Sequence, residues 1–355
     1  MKGSRPLKIG VIGDGSFVEA WLSTLTGNGH IIHTLFCYNS QDTDMLSIRY
    51  NVKYPALSPL HIYSDLDVNL VLIATAPKLI ERELIEVSKK EKLCLICSLY
   101  TSPSPTITSF FGKKQTYLSY PLRMVRAVQE MRKVVGEGVL GKLSLFEIRL
   151  EMPTTLGLNT TCFDWMCEGM MGGGVLNCFG SHCIDAIMFI SNENIKEVCC
   201  RLCTFFKKTD TIKGFRTISS DDFCSLQLKT NSGTFATVEC IGNVPGKERF
   251  LIKVIGEYAS LSFDGVNLIK ESREEGKIKI LDVESQSEAG VFSRPFEEGI
   301  LRQMDCLAGT LDKEIVSDQM IDVINHSHMN SISRVMQAAT TSNKTCSWVM
   351  IEQAT

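Results

Sequence analysis

The chain has 355 residues, 44% hydrophobic and 22% charged, a composition that suits a folded globular protein, and its length suggests about two domains. The net charge of −3 supplies no cationic face, so neither nucleic acid nor a polybasic membrane contact is expected. No apolar run approaches the ~20 residues of a membrane span, and Met1–Pro6 lacks the apolar core of a signal peptide, so the chain reads as cytoplasmic.

Leu7 to Ile12 is a short apolar run ending at glycine, the pattern of a buried parallel strand. Ser16 to Leu25 has helical periodicity through Phe17, Ala20, Trp21 and Leu25, and Gly27 and Gly29 stop it. Ile31 to Tyr38 and Val68 to Ala74 read as strands, Leu79 to Ser88 as an amphipathic helix, and Leu93 to Cys97 as a further strand. This alternation predicts a doubly wound parallel sheet over residues 1–121. A helix is expected over Leu122 to Val135. From Leu143 the pattern changes to strands with few long helices between them: Leu143–Leu150, Val198–Phe206, Phe223–Leu228, Thr234–Cys240, Phe250–Ile255 and Ser260–Phe263. One helix, Gly180–Ile190, falls among them, and Pro295–Leu307 and Asp318–Ala339 look helical. Residues 122–355 therefore read as an α+β domain, a mostly antiparallel sheet with helices on one face, its C-terminal helices free to pack back on the first domain. There is no internal repeat. The fourteen cysteines include Cys94/Cys97 and Cys199/Cys200/Cys203, but these lie in strand-like runs without paired zinc-type spacing. They read as free buried thiols, and no metal is expected.

Gly13-Asp14-Gly15-Ser16-Phe17-Val18 lies between a strand and a helix, the setting of a dinucleotide fingerprint. Gly13 makes the tight turn, and Gly15 admits the pyrophosphate to the helix N-terminus. Val18 stands where Gly or Ala is usual. Tyr38-Asn39-Ser40, at the end of the second strand, has no acid to hold ribose hydroxyls. Asn39 and Ser40 can donate to a 2′-phosphate, and Arg49 is a further candidate, so the stretch leans to NADP over NAD. Either cofactor remains open.

Gly172-Gly173-Gly174-Val175-Leu176-Asn177-Cys178-Phe179-Gly180-Ser181-His182-Cys183-Ile184-Asp185 resembles the Gly-rich turn and helix of the Gfo/Idh/MocA oxidoreductases, as do Ala74-Thr75-Ala76-Pro77 and Gly136 to Gly141. Thr209 to Cys224 and Asn243-Val244-Pro245-Gly246 resemble the animal glucose–fructose oxidoreductase domain-containing proteins. The resemblance implies an NAD(P)-binding protein that acts on a small sugar, polyol or related carbonyl compound, with Ala74 to Pro77 beside the cofactor. It also implies a homodimer through the C-terminal sheet.

Active members of that family use a lysine, an aspartate and a histidine. Here the lysine motif reads Ser98-Leu99-Tyr100, the aspartate position is Cys178, and His182 remains. The partners of a general acid–base act as a unit, so the standard reaction is in doubt. His182 reads equally as an acid/base and as a helix histidine in a vestigial pocket, and Asp185 as structural. Tyr100 can donate through its hydroxyl. Lys213 or Arg216, in a polar loop Lys207–Arg216, can supply the missing cation or clamp an anion. Asp164 and Trp165 can line the same pocket. Three readings stay open: an oxidoreductase with His182 as acid/base, a catalytically inactive pseudoenzyme that holds NAD(P) as a structural or sensing ligand, and a purely structural protein.

Overall fold

A computed structural model describes residues 7–90, 92–97, 116–153, 163–211, 214–282, 293–311 and 329–352. The alternating runs of the first half form β1 (Lys8–Gly13), α1 (Gly15–Gly27), β2 (Ile31–Cys37), β4 (Leu70–Ala74), α4 (Ile80–Ser88) and β5 (Leu93–Ile96). Four further elements lie among them: α2 (Ser40–Arg49), β3 (Tyr54–Pro55), α3 (Pro59–Ser64) and β6 (Thr116–Leu118). The sheet is parallel, in the order β3-β2-β1-β4-β5-β6. β1 and β4 are covered on both faces, which is why their sequences are apolar almost throughout. Strand order reverses at β1/β4, so a crevice opens beyond their C-terminal ends, where ligands sit in such sheets.

The link to the second half is not one helix. Pro121–Met124 makes a short 3-10 turn, extended Val125 interrupts it, and α5 spans Arg126–Gly136. The second sheet contains β7 (Leu143–Met152), β8 (Ile195–Cys203), β11 (Phe223–Thr230), β12 (Phe235–Gly242), β13 (Arg249–Gly256), β14 (Ala259–Phe263), β15 (Asn267–Ser272), β16 (Gly276–Asp282) and β17 (Val349–Met350). Among the described residues its order is β16-β15-β14-β13-β7-β12-β11-β8-β17, and only β12 and β7 run parallel. Lys207–Arg216 is not a loop: β9 (Lys208–Thr211) and β10 (Gly214–Thr217) pair there as an antiparallel hairpin.

Alternation along these strands sends Phe146, Ile148, Leu150, Leu226, Leu228, Val238, Ile252 and Val254 into the core. α6 (Ser181–Ser191), α5 and α8 (Met329–Thr345) contribute residues to that same core. The other face carries Glu147, Arg149, Thr237, Glu239 and Lys253 in register, with Arg149 bridging Glu151 and Glu239. α7 (Ser293–Leu311) packs on the first half instead, placing Ile300, Met304 and Leu307 in one cluster with Ile9, Val11 and Leu72. Gly169–Ser191 is long and apolar enough to cross a membrane, yet 78% of its apolar window is buried inside the protein. The described cysteines are free thiols, mostly buried.

Candidate active site

The turn after β1 is tight because it has to be. A Cβ on Gly13 would lie 2.5 Å from Val18 Cγ2 and 2.8 Å from the Ala74 carbonyl oxygen. The bulk of Val18 is thus absorbed by the bare face of Gly13. Asp14 ties three strand ends together. Its backbone N–H donates to Ala74 O, and its carboxylate accepts from Tyr38 N at 2.9 Å and Thr75 Oγ1 at 3.0 Å. Burial outweighs those bonds and pushes its carboxyl up to about 6.

The ribose end is arranged differently from the sequence reading. The Tyr38 hydroxyl donates to buried Glu83 of α4, which also accepts from Tyr63. The Asn39 side chain accepts from Gln41 N at 3.2 Å and caps α2, which begins at Ser40. Arg49 is at the far end of that helix, ~15 Å away for ten residues, and is paired with Glu19 of α1. It is therefore not placed to meet a 2′-phosphate at Asn39.

In the second half, Gly173 passes so close to the preceding strap that a Cβ would lie 2.2 Å from Met166 O. Asp221 holds the end of this turn, accepting from Leu176 N at 2.8 Å. One π-helical turn, Leu176–Gly180, then feeds α6, putting Cys178 and His182 one turn apart. Both line a cavity of about 10 Å³ with Phe17, Pro77, Cys97, Leu118, Ser119, Tyr120, Trp165, Gly172, Asn177 and Ser181. Such a volume holds about one water. The turn after β1, the strap at Trp165 and α6 therefore converge on one point. Phe17 meets Trp165 edge-on at 5.5 Å, and His182 stands edge-on to Tyr120 and Phe296 at 5.4 Å each.

Four buried polar atoms at this cavity lack a hydrogen-bond partner: Tyr120 Oη, Trp165 Nε1, Asn177 Oδ1 and His182 Nδ1. Two of these atoms can donate and the others can accept, so the set suits a ligand bearing hydroxyl or carbonyl groups. Desolvation pushes His182 down to about 4, leaving a neutral imidazole, and burial pushes the Cys178 thiol well above its usual value. Asp185 faces away from the cavity. Its two oxygens accept from Arg123 Nε at 2.8 and 2.7 Å, both residues being buried, so its role is structural.

The structure thus brings together Phe17, Pro77, Trp165, Cys178 and His182, with Ala74, Thr75 and Ala76 buried just behind. Arg216 is exposed on β10 and is not among the residues lining the cavity. Leu99, Tyr100 and Lys213 lie outside the described residues. Tyr120 and Asn177 escaped the sequence reading. Asn177 lies inside the Gly172–Asp185 stretch, next to Cys178, whereas Tyr120 sits beyond β6, a three-residue strand with no sequence signal. Elsewhere, His33, Asp65 and Asp67 place three ligand-type atoms within 4.8 Å of one another, but Asp67 is already paired with Lys8 at 2.8 Å.

Residues 128–262 match the family model of the GFO/IDH/MocA C-terminal domain. Glucose-fructose oxidoreductase domain-containing protein 1 of Xenopus tropicalis is 28% identical over 265 residues, 73% of this chain and 67% of that one. The mouse protein of the same name is 26% identical over 297 residues, 82% of this chain and 75% of that one. Among solved structures, levoglucosan dehydrogenase in complex with NADH and L-sorbose aligns with a TM-score of 0.80 and 16% identity, over 99% of this chain and 100% of that one. A putative myo-inositol dehydrogenase from Sinorhizobium meliloti aligns at 0.72 and 13%, over 98% and 100%. At such identities the structural likeness speaks for the fold alone. The matched domain, with its Gly-rich turn and histidine helix, is thus similar to that of the Gfo/Idh/MocA proteins, and the chain over most of its length to the glucose-fructose oxidoreductase domain-containing proteins.

Proposed function

We propose that the chain binds a nicotinamide dinucleotide, NADP or NAD, across the β1/β4 crevice, and beside it a small sugar, polyol or related carbonyl compound. The observation that carries this reading is the group of four unpaired polar atoms around one cavity at the crevice mouth. Unpaired buried polar groups are costly, and a ligand's hydroxyl or carbonyl groups would satisfy them. α1 also presents its N-terminus at the crevice with no cap from the Asp14 side chain, the setting in which a dinucleotide's pyrophosphate sits.

A bound nicotinamide would supply the hydride acceptor. The residues of this chain do the rest. The cavity of about 10 Å³ is sized for one water, so a substrate enters as Phe17, Leu118 and Trp165 move apart; Tyr120 and Trp165 then donate to its oxygens and Asn177 accepts from a hydroxyl. His182, neutral at pH 7, takes the hydroxyl proton.

Purified protein should therefore gain thermal stability with NADPH or NADH, since a ligand at ~100 times its Kd contributes about 2.7 kcal/mol. No shift with either at millimolar concentration sinks the reading. Nicotinamide absorbance across a panel of polyols and sugars then tests turnover. Cys178 favours a second reading, a pseudoenzyme that holds the dinucleotide as a structural or sensing ligand. A neutral thiol cannot stabilise imidazolium as a carboxylate does. Binding without turnover on any panel member supports that reading.

We also propose that the chain pairs with a second copy through the open face of its larger sheet and stays in the cytoplasm. Light scattering on the eluting protein should give twice the 39.5 kDa chain mass. A monomer at all concentrations removes the dimer.

A further inference from the structure

The first turn of a helix leaves backbone N–H groups without partners, and an anion is the usual answer. In α1 the local residue does not provide it, because the Asp14 side chain turns away to Tyr38 and Thr75. A carboxylate from 148 residues further along does. Asp164 Oδ2 accepts from Ser16 Oγ at 2.8 Å and Ser16 N at 3.3 Å, while Oδ1 accepts from Met166 N at 2.9 Å. Among the described residues, none of these partners is a cation. Asp164 is only 8% exposed.

Gly15 shows how close the approach is. A Cβ there would lie 2.8 Å from Asp164 Oδ2 and 2.8 Å from its Cβ. The bareness that should admit a pyrophosphate here admits a side chain of the same protein. Trp165, the next residue, packs on Phe17 in the same helical turn, so two consecutive residues of the strap grip the turn.

We propose that Asp164 is a built-in anion in the phosphate seat, a specificity-determining residue that a dinucleotide has to displace. This rests on the dinucleotide reading above for its consequence, though not for its geometry. A pyrophosphate and a carboxylate compete for the same Ser16 donors and repel each other in a site with little solvent. Dinucleotide binding by the unaltered chain is therefore weak, and it comes with movement of Asp164 off Ser16. The pyrophosphate is common to both cofactors, so binding stays weak for NADPH as for NADH.

Asp164→Asn keeps the size of the side chain and its acceptor oxygen, so the bond from Met166 N survives while the charge goes. Titrations of the full chain with NADH, NADPH and inorganic pyrophosphate, each followed by thermal shift and calorimetry, test the proposal. Asp164→Ser stands in if the amide variant fails to fold. NADH should bind the variant about tenfold tighter or more, and pyrophosphate should stabilise the variant while leaving the unaltered chain unmoved. The NADH comparison decides wherever either protein binds it: binding by the variant alone, or tighter binding, supports the role of Asp164, and an equal or weaker affinity in the variant overturns it while the dinucleotide reading stands. Pyrophosphate decides where neither protein binds NADH. A gain of pyrophosphate binding in the variant then supports the role of Asp164 and removes the dinucleotide reading, and no gain overturns both.

Discussion

Asp185→Ala should lower stability by about 3–5 kcal/mol, the usual cost of breaking a buried ion pair. Arg123 is 3% exposed and Asp185 fully enclosed. The guanidinium also stacks over Phe189 at 5.1 Å. Removing the carboxylate strands a permanent positive charge, because arginine does not deprotonate. The pair also spans a junction, since Arg123 sits in the turn joining the two halves and Asp185 on the helix that carries His182. Tyr120, at the start of that turn, should shift with it, so ligand binding falls together with stability. Urea unfolding measures the effect, and an unchanged midpoint would show that the pair contributes nothing. Replacing both residues by Met and Leu should cost much less than either single change.

His182→Ala should cut any turnover by about 10²–10⁴-fold and leave NADH affinity unchanged, because the imidazole lines the cavity at Tyr120 and Trp165 rather than the Gly13–Gly15 turn. An unchanged rate removes His182 as the proton acceptor. Desolvation lowers its folded value to about 4, below the unfolded value of about 6.5. The basic form is thus present throughout the neutral range, and the oxidation rate should not titrate near 6.5. For stability, the unfolded chain binds the proton first as pH falls. The contribution is full above pH 6.5 and is lost progressively toward pH 4, by up to about 3 kcal/mol. His182→Asn should abolish that loss. Asp14 and Asp221 act in the opposite direction, since both are raised to about 6 by burial. Their contribution is present below pH 3.8 and lost as pH rises through 6. Unfolding curves of the His182→Asn variant against the unaltered chain separate the two. Cys178→Asp should move His182 upward, because a carboxylate one turn away favours imidazolium.

The parallel sheet was legible because its strands are covered on both faces and so read as unbroken apolar runs. α2 was not, since it buries only Thr43, Leu46 and Ser47 and shows little periodicity. β15 and β16 were missed for a related reason: their Lys- and Glu-rich hairpin at the sheet edge leaves few inward positions to detect. Among the described residues the hairpin β9/β10 pairs with no other strand, and β10 is exposed along its length. At the site, Gly13, Gly15 and His182 are local signals. Tyr120 against His182, and Asp164 against Ser16, join segments 62 and 148 residues apart, and no local pattern carries them.

The packing of α7 on the first sheet has a consequence for synthesis. Ile300, Met304 and Leu307 complete the core that contains Ile9, Val11 and Leu72. Until the ribosome has passed that helix, the part of this sheet face that α1 and α2 do not cover stays open. Domains commonly fold in the order they emerge. Here the first to emerge is among the last to be finished, and its apolar face is open to chaperones, or to aggregation, while the rest of the chain is made.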